Sequence, residues 1–443
     1  MMSASRIDLS ARLLLNLAPW RHATTWRVAF SGGLDSTVLL HLLAHLAKTE
    51  SLPALNAIHV HHGLQTAGDA WPAHCQLFCD ELDVPLQVVR VQVQSGASLE
   101  RAAREARYAA FTEATQANEL LLTAQHRDDQ AETLLFRLMR GAGVRGLASM
   151  PAERSLGPGH LLRPLLGISR AELEAYAAEH RLTWVQDPSN QDRQYSRNYL
   201  RHQVFPALMV RWPQAMVSMA RSAAHLREAQ GLLDELAQID LAEASTASDC
   251  DWLDVPSLAL APLARLSAAR QRNALSHWLA PRTPMPDTDH WSGWDSLRDA
   301  AEHASPVWRL AQGEVQRSAG RIWWLAGDWL SAPPAPQAWH DPRQPLLLPG
   351  NGRVTLHGQP AASEIAIRYR EGGEVMNLPG RGHRDLKRLL NENAVPAFAR
   401  GRLPLLYLDG QLRAVANLPG LNGSAHGDWH LQWQPLGQDQ GLR

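Results

Sequence analysis

Residues 28–37 read Val-Ala-Phe-Ser-Gly-Gly-Leu-Asp-Ser-Thr, "VAFSGGLDST": a short apolar run, two glycines, then small oxygen-bearing side chains ahead of a helical pattern. A loop between a buried strand and a helix start exposes backbone N–H groups, and the helix dipole favours an anion there. Gly32 and Gly33 let the backbone approach that anion closely, and Ser31, Ser36 and Thr37 add hydroxyl donors. A Walker-type loop grips a terminal phosphate with a lysine. This loop has none, and it carries an acid, Asp35, instead. An acid beside a phosphate is repulsive unless Mg2+ lies between them, so the expected ligand is a metal-bound pyrophosphate unit.

Outward from the loop, the first 200 residues alternate apolar runs with amphipathic segments. Residues 26–30, 54–60, 85–93, 119–124 and 160–166 read as strands, and 36–47, 68–82, 98–117, 129–140 and 169–181 as helices. Ser169 followed by Glu172 is a capping-box signature for the last helix. Five such alternations predict an α/β domain: a parallel five-stranded sheet with helices on both faces. Right-handed crossovers bring every strand-to-helix loop to one edge of that sheet, where ligands bind.

The expected organisation is a catalytic domain over 1–215, a helical middle domain over 216–330, a proline-rich linker at 331–345 and a small α+β domain over 346–443. Within the middle segment, residues 314–329 read as a hairpin. Apolar residues make up 45% of the 443 and charged residues 20%, ordinary for a soluble chain. A net charge of −1 gives no global attraction to nucleic acid, so RNA binding has to come from local patches. Lys48 and Lys387 are the only lysines, and all other basic residues are arginine. Three cysteines, Cys75, Cys79 and Cys250, are too few for a disulfide framework and read as buried thiols. The N-terminal apolar run is too short for a signal peptide, and no run of about 20 apolar residues exists, so a cytoplasmic location is expected, with no membrane contact.

"SGGLDS" (31–36) resembles the pyrophosphatase loop of the N-type ATP pyrophosphatases, or PP-loop proteins, which split ATP between its α and β phosphates. Further stretches narrow the resemblance: "HVHHGLQ" (59–65), "SLERAAREARYAAF" (98–111), "TAQHRDDQAETLLFRLMRGAGVRGL" (123–147), "DPSNQDRQYSRNYLRHQVFP" (187–206) and "REGGEVMNLPGRGHRDLKRLLNENAVPAFARGRLPLLYLDGQLRAV" (370–415). Together they are similar to the tRNA(Ile)-lysidine synthetases, over the first 206 residues and the last 75 or so. The resemblance implies an adenine nucleotide alpha hydrolase-like fold and an ATP- and Mg2+-dependent ligase. Its reaction joins L-lysine to C2 of the wobble cytidine, position 34, of the isoleucine tRNA with a CAU anticodon. ATP adenylates the C2 oxygen, the lysine ε-amine displaces AMP, and the codon read changes from AUG to AUA.

The resemblance also implies roles for residues. Ser31, Gly32, Gly33, Leu34, Asp35 and Ser36 hold ATP, with Asp35 on magnesium and in the catalytic set, and His59 and His61 lie beside the adenosine. Lysine in water is protonated and must lose a proton to attack, which carboxylates can assist. Asp129 and Glu132, three apart at a helix start, face one side and are assigned to lysine, with Asp128 as a neighbour for magnesium. An arginine of the pair Arg104 and Arg107 takes the lysine carboxylate. Members of the family often show two histidines where this chain has Gln125-His126, and glutamine cannot titrate.

Arg193, Arg197 and Arg201, four apart, form a stripe for the tRNA backbone if that stretch is helical; a solvated basic face is the other reading. Arg381, Arg384, Lys387 and Arg388 give the C-terminal domain a phosphate-gripping face, and the resemblance assigns that domain to the acceptor stem. A homodimer is compatible with the sequence. The runner-up is a tRNA thiolase on the same nucleotide domain. Those of the cytidine-modifying kind carry paired Cys-x-x-Cys motifs, which this chain lacks.

Overall fold

The apolar runs of the first 200 residues become strands, each followed by a helix. The computed structural model describes residues 8–64, 66–93, 99–285, 289–301, 304–332, 335–358, 362, 364–378, 380–422 and 429–436. Gln65 and Ser98, at the ends of two quoted motifs, lie outside them. Contacts divide the chain into two compact units, Met1–Gly231 and Leu232–Arg443.

In the first unit the order is α1 (Leu9–Leu17), β1 (Thr25–Ala29), α2 (Leu34–Leu46), β2 (Ala54–His61), α3 (Trp71–Glu81), β3 (Leu86–Arg90), α4 (Leu99–Ala114), β4 (Glu119–Leu122) and α5 (Arg127–Leu138). Then come α6 (Val144–Leu147), β5 (Glu153–Leu156), β6 (Gly159–Leu162), α7 (Arg170–Glu179), α8 (Ser196–Tyr199), a π-helical turn at Leu200–Val204 and α9 (Phe205–Arg211). The sheet runs β3-β2-β1-β4-β6-β5. Its first five strands in that order are parallel, as the apolar runs predict, and β5 is antiparallel to β6. The segment "ERSL" of β5 has an exposed charged start and no apolar run, so periodicity does not announce it.

Trp26 and Val28 of β1 are fully buried between Leu55 and Ala57 of β2 on one side and Leu120 and Leu122 of β4 on the other. α2 is buried on almost every side, which explains why its apolar pattern is continuous rather than striped. The strand order reverses at β1: β2 and β3 follow to one side, β4 and β6 to the other. Two loops therefore part there and leave a crevice at the carboxyl edge.

A helix of 30 residues, α10 (Ala215–Ala244), contains the division between these two units. The second unit carries β7 (Ser257–Ala259), α11 (Leu260–Arg265), α12 (Ala268–Leu279), α13 (Ser292–Asp299), β8 (Val307–Leu310), β9 (Gly313–Ser318) and β10 (Arg321–Leu325). Helices thus share the middle segment with a four-stranded antiparallel sheet, β7-β10-β9-β8. The expected hairpin is β9–β10, turning at Ala319 and Gly320, both with positive φ as a tight hairpin turn demands.

Next come β11 (Gln337–Ala338), β12 (Leu346–Leu347), β13 (Arg353–His357), β14 (Ile365–Arg368), β15 (Val375–Leu378) and β16 (Gly382–Asp385). The chain closes with α14 (Leu386–Glu392), α15 (Ala397–Arg400), β17 (Leu405–Leu408), β18 (Gln411–Val415) and β19 (His430–Gln434). Successive side chains of a strand face opposite ways. Trp323 of β10 accordingly enters the core of the C-terminal strands while Trp324 enters the core of α11–α13. The proline-rich stretch joins in: β11 pairs with β14, and Trp339 is buried. Among the described residues no helix is long and apolar enough to cross a membrane.

The capping box of α7 forms as its spacing predicts. Ser169 N–H and Oγ donate to Glu172 at 2.8 and 2.5 Å, and Arg12 reaches the same carboxylate from α1. Burial opposes ionisation of Glu172, but the Ser169 and Arg12 donors outweigh it and hold its carboxyl at about 2. Its contribution to stability is therefore present above the ordinary value of 4.5 and is lost as pH falls toward 2. Glu172→Gln is expected to lower the urea midpoint of the first unit at pH 7 and to leave a smaller further loss between pH 4.5 and 3; equal acid sensitivity in both proteins would refute this.

Candidate active site

The loop after β1 enters α2 through Gly32, whose φ of +81° suits glycine. A Cβ there would also meet Cys75 Sγ of α3 at 3.0 Å, a tight contact that adds to the case for glycine. Gly33 caps α2 without a side-chain hydrogen bond, leaving the N–H groups of the first turn available to a ligand. The two serines lean on each other: Ser31 Oγ and Ser36 Oγ are 3.0 Å apart, and Ser36 Oγ donates to Gly33 O at 3.0 Å. His59 is buried under this loop, with Nδ1 2.9 Å from Phe30 O and 3.4 Å from Cys75 Sγ. Burial lowers its pKa, so it is a neutral packing group. His61 instead faces Asp69, at 3.4 Å.

Asp35, in the first turn of α2, points across the crevice. Arg170 Nη1 donates to its Oδ2 at 3.1 Å, and His126 Nε2 is 3.7 Å from its Oδ1. Burial raises the Asp35 pKa, with His126 and Arg170 acting against that. Oδ1 is buried with no hydrogen-bond partner in the protein. Such a hard oxygen fits Mg2+. Among the described residues no group of three or more His, Cys, Asp or Glu is placed to hold a metal ion. A magnesium at Asp35 would thus take its other ligands from phosphate and water, as that ion commonly does.

The loop after β4 supplies the other wall. Gln125 turns back to accept from Thr123 Oγ1 at 2.6 Å. His126 is 1% exposed and sits among three carboxylates: Asp35, Asp128 and Asp129 at 3.5–3.7 Å, with neither ring nitrogen hydrogen-bonded. Asp128 accepts from the backbone N–H of Arg170 at 2.9 Å, so it caps α7. Asp129 accepts from the His126 N–H at 3.0 Å, closing the first turn of α5. Both acids thus satisfy N–H groups at helix starts while belonging to the cluster.

Arg201 belongs to this cluster. Its Nε and Nη2 donate to the two oxygens of Glu132 at 2.6 and 2.9 Å, and Nη2 also reaches Asp129 at 3.3 Å. Glu132 is 3% exposed, and burial raises its pKa against the pull of Arg201. The expected Arg193–Arg197–Arg201 stripe does not form. Arg193 lies in a turn before α8, where Asn198 bonds Ser189 O and Asp192 O, and the π turn after Tyr199 breaks the four-residue spacing. Nothing in sequence distinguishes Arg201 from its neighbours, because its partners lie about 70 residues away. Four carboxylates against Arg170 and Arg201 leave an excess of negative charge suited to a cationic ligand.

A second cluster is basic. Arg104 and Arg154 each lie 4.8 Å over the Tyr108 ring, on which Arg163 also acts. Arg137 donates to Gly146 O and Ser149 O, and Arg163 to Pro151 O. The charges acting on Arg137 are Arg197 and Arg104, both repulsive. Arg104, Arg154 and Arg197 have no carboxylate partner among the described residues. Arg107 acts instead on His62. In the second unit Arg384 lies on β16 rather than in the helix, because α14 starts only at Leu386 behind its Asp385 cap. Lys387 and Arg388 are exposed on α14, and Glu392 is shared by Arg381 at 3.5 Å and Arg388 at 3.0 Å. The cysteine thiols are all buried, with pKa values pushed up to about 12, 12 and 11 for Cys75, Cys79 and Cys250, unlike nucleophilic thiolates.

A family model described as a PP-loop domain matches residues 7–208. Models for a TilS substrate binding domain and a TilS substrate C-terminal domain match 258–323 and 365–433. The tRNA(Ile)-lysidine synthase of Pseudomonas fluorescens (strain Pf0-1) is 69% identical, covering 100% of both chains. That of Pseudomonas aeruginosa is 62% identical, covering 98% of this chain and 99% of its own. The one from Alkalilimnicola ehrlichii is 43% identical over 92% of each.

Arg201→Ala strands the buried Glu132 charge and is expected to destabilise the first unit by about 2–3 kcal/mol, toward the low end for a broken buried pair because Arg201 is partly exposed. The double variant Arg201→Ala/Glu132→Gln should regain most of that in urea unfolding while staying inactive. Additive losses would show that the two side chains do not depend on each other.

Proposed function

The chain belongs to the tRNA(Ile)-lysidine synthase family, and on that premise we propose how its residues share the work of an ATP-dependent ligase that places lysine on C2 of the wobble cytidine. The observation that carries the assignment is the meeting of two loops: the nucleotide loop after β1 and the acid-rich start of α5 after β4 touch through Asp35 and His126. The first suits ATP and the second a cation, so the reacting groups would lie side by side.

In the first step the cytidine C2 oxygen attacks the α-phosphorus of ATP, the bond to the β-phosphate breaks, and pyrophosphate leaves. The amides at the start of α2, with Ser31 and Ser36, receive that pyrophosphate; their mutual hydrogen bond is exchanged for phosphate oxygens. Asp35 would hold magnesium, which when bound offsets charge on the leaving group. In the second step the lysine ε-amine attacks C2, the C2–O bond breaks, and AMP leaves carrying the former C2 oxygen. Asp129 and Glu132 hold the ammonium in place of Arg201, which keeps their charge matched until lysine arrives. Burial makes Glu132 a stronger proton acceptor than an exposed glutamate, so it takes the proton that frees the amine. The Arg104/Arg107 pair is assigned to the lysine carboxylate.

The tRNA is held by charge away from the reacting atoms. Arg137 and Arg197, on the helical segments that carry Glu132 and lead to Arg201, and Arg154 on β5 suit phosphates flanking an unstacked anticodon base. Arg381, Arg384, Lys387 and Arg388 suit a second stretch of backbone. No observation favours the sulfur-transfer alternative, since the three thiols are buried and far from thiolate character.

The direct test is mass analysis of nucleosides from total bacterial tRNA incubated with the protein, ATP, magnesium and isotopically labelled lysine. An ATP-dependent lysine adduct on cytidine is expected; AMP release without an adduct would overturn the assignment of the nucleophile. Arg154→Gln/Arg197→Gln should lower the slope of log affinity for tRNA against log salt by about 1.5 and leave ATP binding unchanged. An unaltered slope would remove these arginines from the RNA contact.

A further inference from the structure

The nucleotide loop has no cation of its own, yet a guanidinium stands against it. Arg170, the first residue of α7, is 135 residues from Asp35 and places Nη1 3.1 Å from its Oδ2. The base of this arginine is anchored three ways: its N–H donates to Asp128, Ser169 caps the helix, and Arg12 fastens Glu172 in the same turn. Its side chain is free to move by comparison. It is 38% exposed, and its other partner, Glu174 at 3.1 Å, is an exposed i,i+4 pair of little strength. Asp35 Oδ1 and His126 Nε2 face each other at 3.7 Å, both buried and without hydrogen-bond partners.

We propose that Arg170 is the missing cation of the loop, exchanging Asp35 for the oxygens of the pyrophosphate half of ATP. With the loop empty, the guanidinium balances Asp35, which would otherwise be an unpaired acid in a desolvated crevice. When the nucleotide enters, Asp35 turns to magnesium and Arg170 to the phosphate oxygens beyond the bond that breaks. Both exchanges leave every charge with an opposite partner. No bond to Arg170 forms or breaks; it binds the leaving group and so assists its departure. A guanidinium also suits this task better than a lysine fixed in the loop, since its planar fork can take two oxygens and release them together.

The proposal rests on the α–β cleavage reading, and its test is equilibrium binding to the full chain without tRNA or lysine. Calorimetry with magnesium pyrophosphate and, separately, with AMP distinguishes the two halves of ATP. Arg170→Gln is expected to weaken pyrophosphate by about 10- to 100-fold, the usual range for losing charge-assisted hydrogen bonds, and AMP by less than twofold. Arg170→Lys should recover part of the pyrophosphate affinity. Unchanged pyrophosphate affinity in Arg170→Gln overturns the proposal, as does an equal loss for AMP, which would mark a purely structural role. A wild-type chain that binds neither ligand would instead refute the nucleotide site itself, and the proposal with it.

Discussion

Everything at the site follows from one constraint on a parallel sheet: where strand order reverses, two loops must part. β1 is flanked by β2 and β4, and the chain leaves those strands toward opposite sides. At the gap between their carboxyl ends the backbone N–H groups at the start of α2 come beside the acid-rich start of α5. The buried apolar ladder of Trp26 and Val28 against β2 and β4 holds the two loops in register. Asp35 and His126 come within 3.7 Å of each other across that gap.

Charge pairing is the second organising fact. Asp35, Asp128, Asp129 and Glu132 would repel one another in a desolvated crevice. Two arginines from distant helices separate them: Arg170 reaches Asp35, and Arg201 joins Asp129 to Glu132. Buried ion pairs contribute little net stability, since desolvation offsets attraction. In the proposed reaction each would be replaced by a ligand cation without leaving a bare charge.

The basic cluster around Tyr108 shows the opposite economy. Arg137 donates to the backbone carbonyls of Gly146 and Ser149, and Arg163 to that of Pro151, so neither charge is cancelled by a carboxylate there. The exposed charges beside them, Arg104, Arg154 and Arg197, attract polyanions, consistent with an RNA substrate and with an overall charge of only −1. In the second unit β10 joins two cores by alternation alone, with Trp323 and Trp324 facing opposite ways.

The sequence by itself determined the parallel sheet, its five strands, the nucleotide loop, the α7 capping box and the β9–β10 hairpin. Each is a local pattern in which period, glycine or cap spacing states its own structure. It also pointed to Asp35, Asp129 and Glu132, because an acid in a glycine loop and two acids at a helix start are chemically conspicuous. Only the tertiary structure decided which of these meet, and that Arg201 serves the acids rather than a basic stripe. It alone brought Arg170 to Asp35, added the charged edge strand β5, and placed the break between units inside α10. The reason is common to all of them. An arginine 135 residues from its partner, or a π turn that shifts a helix face, leaves no local trace, because contacts between distant segments are set by how the sheet and its helices pack.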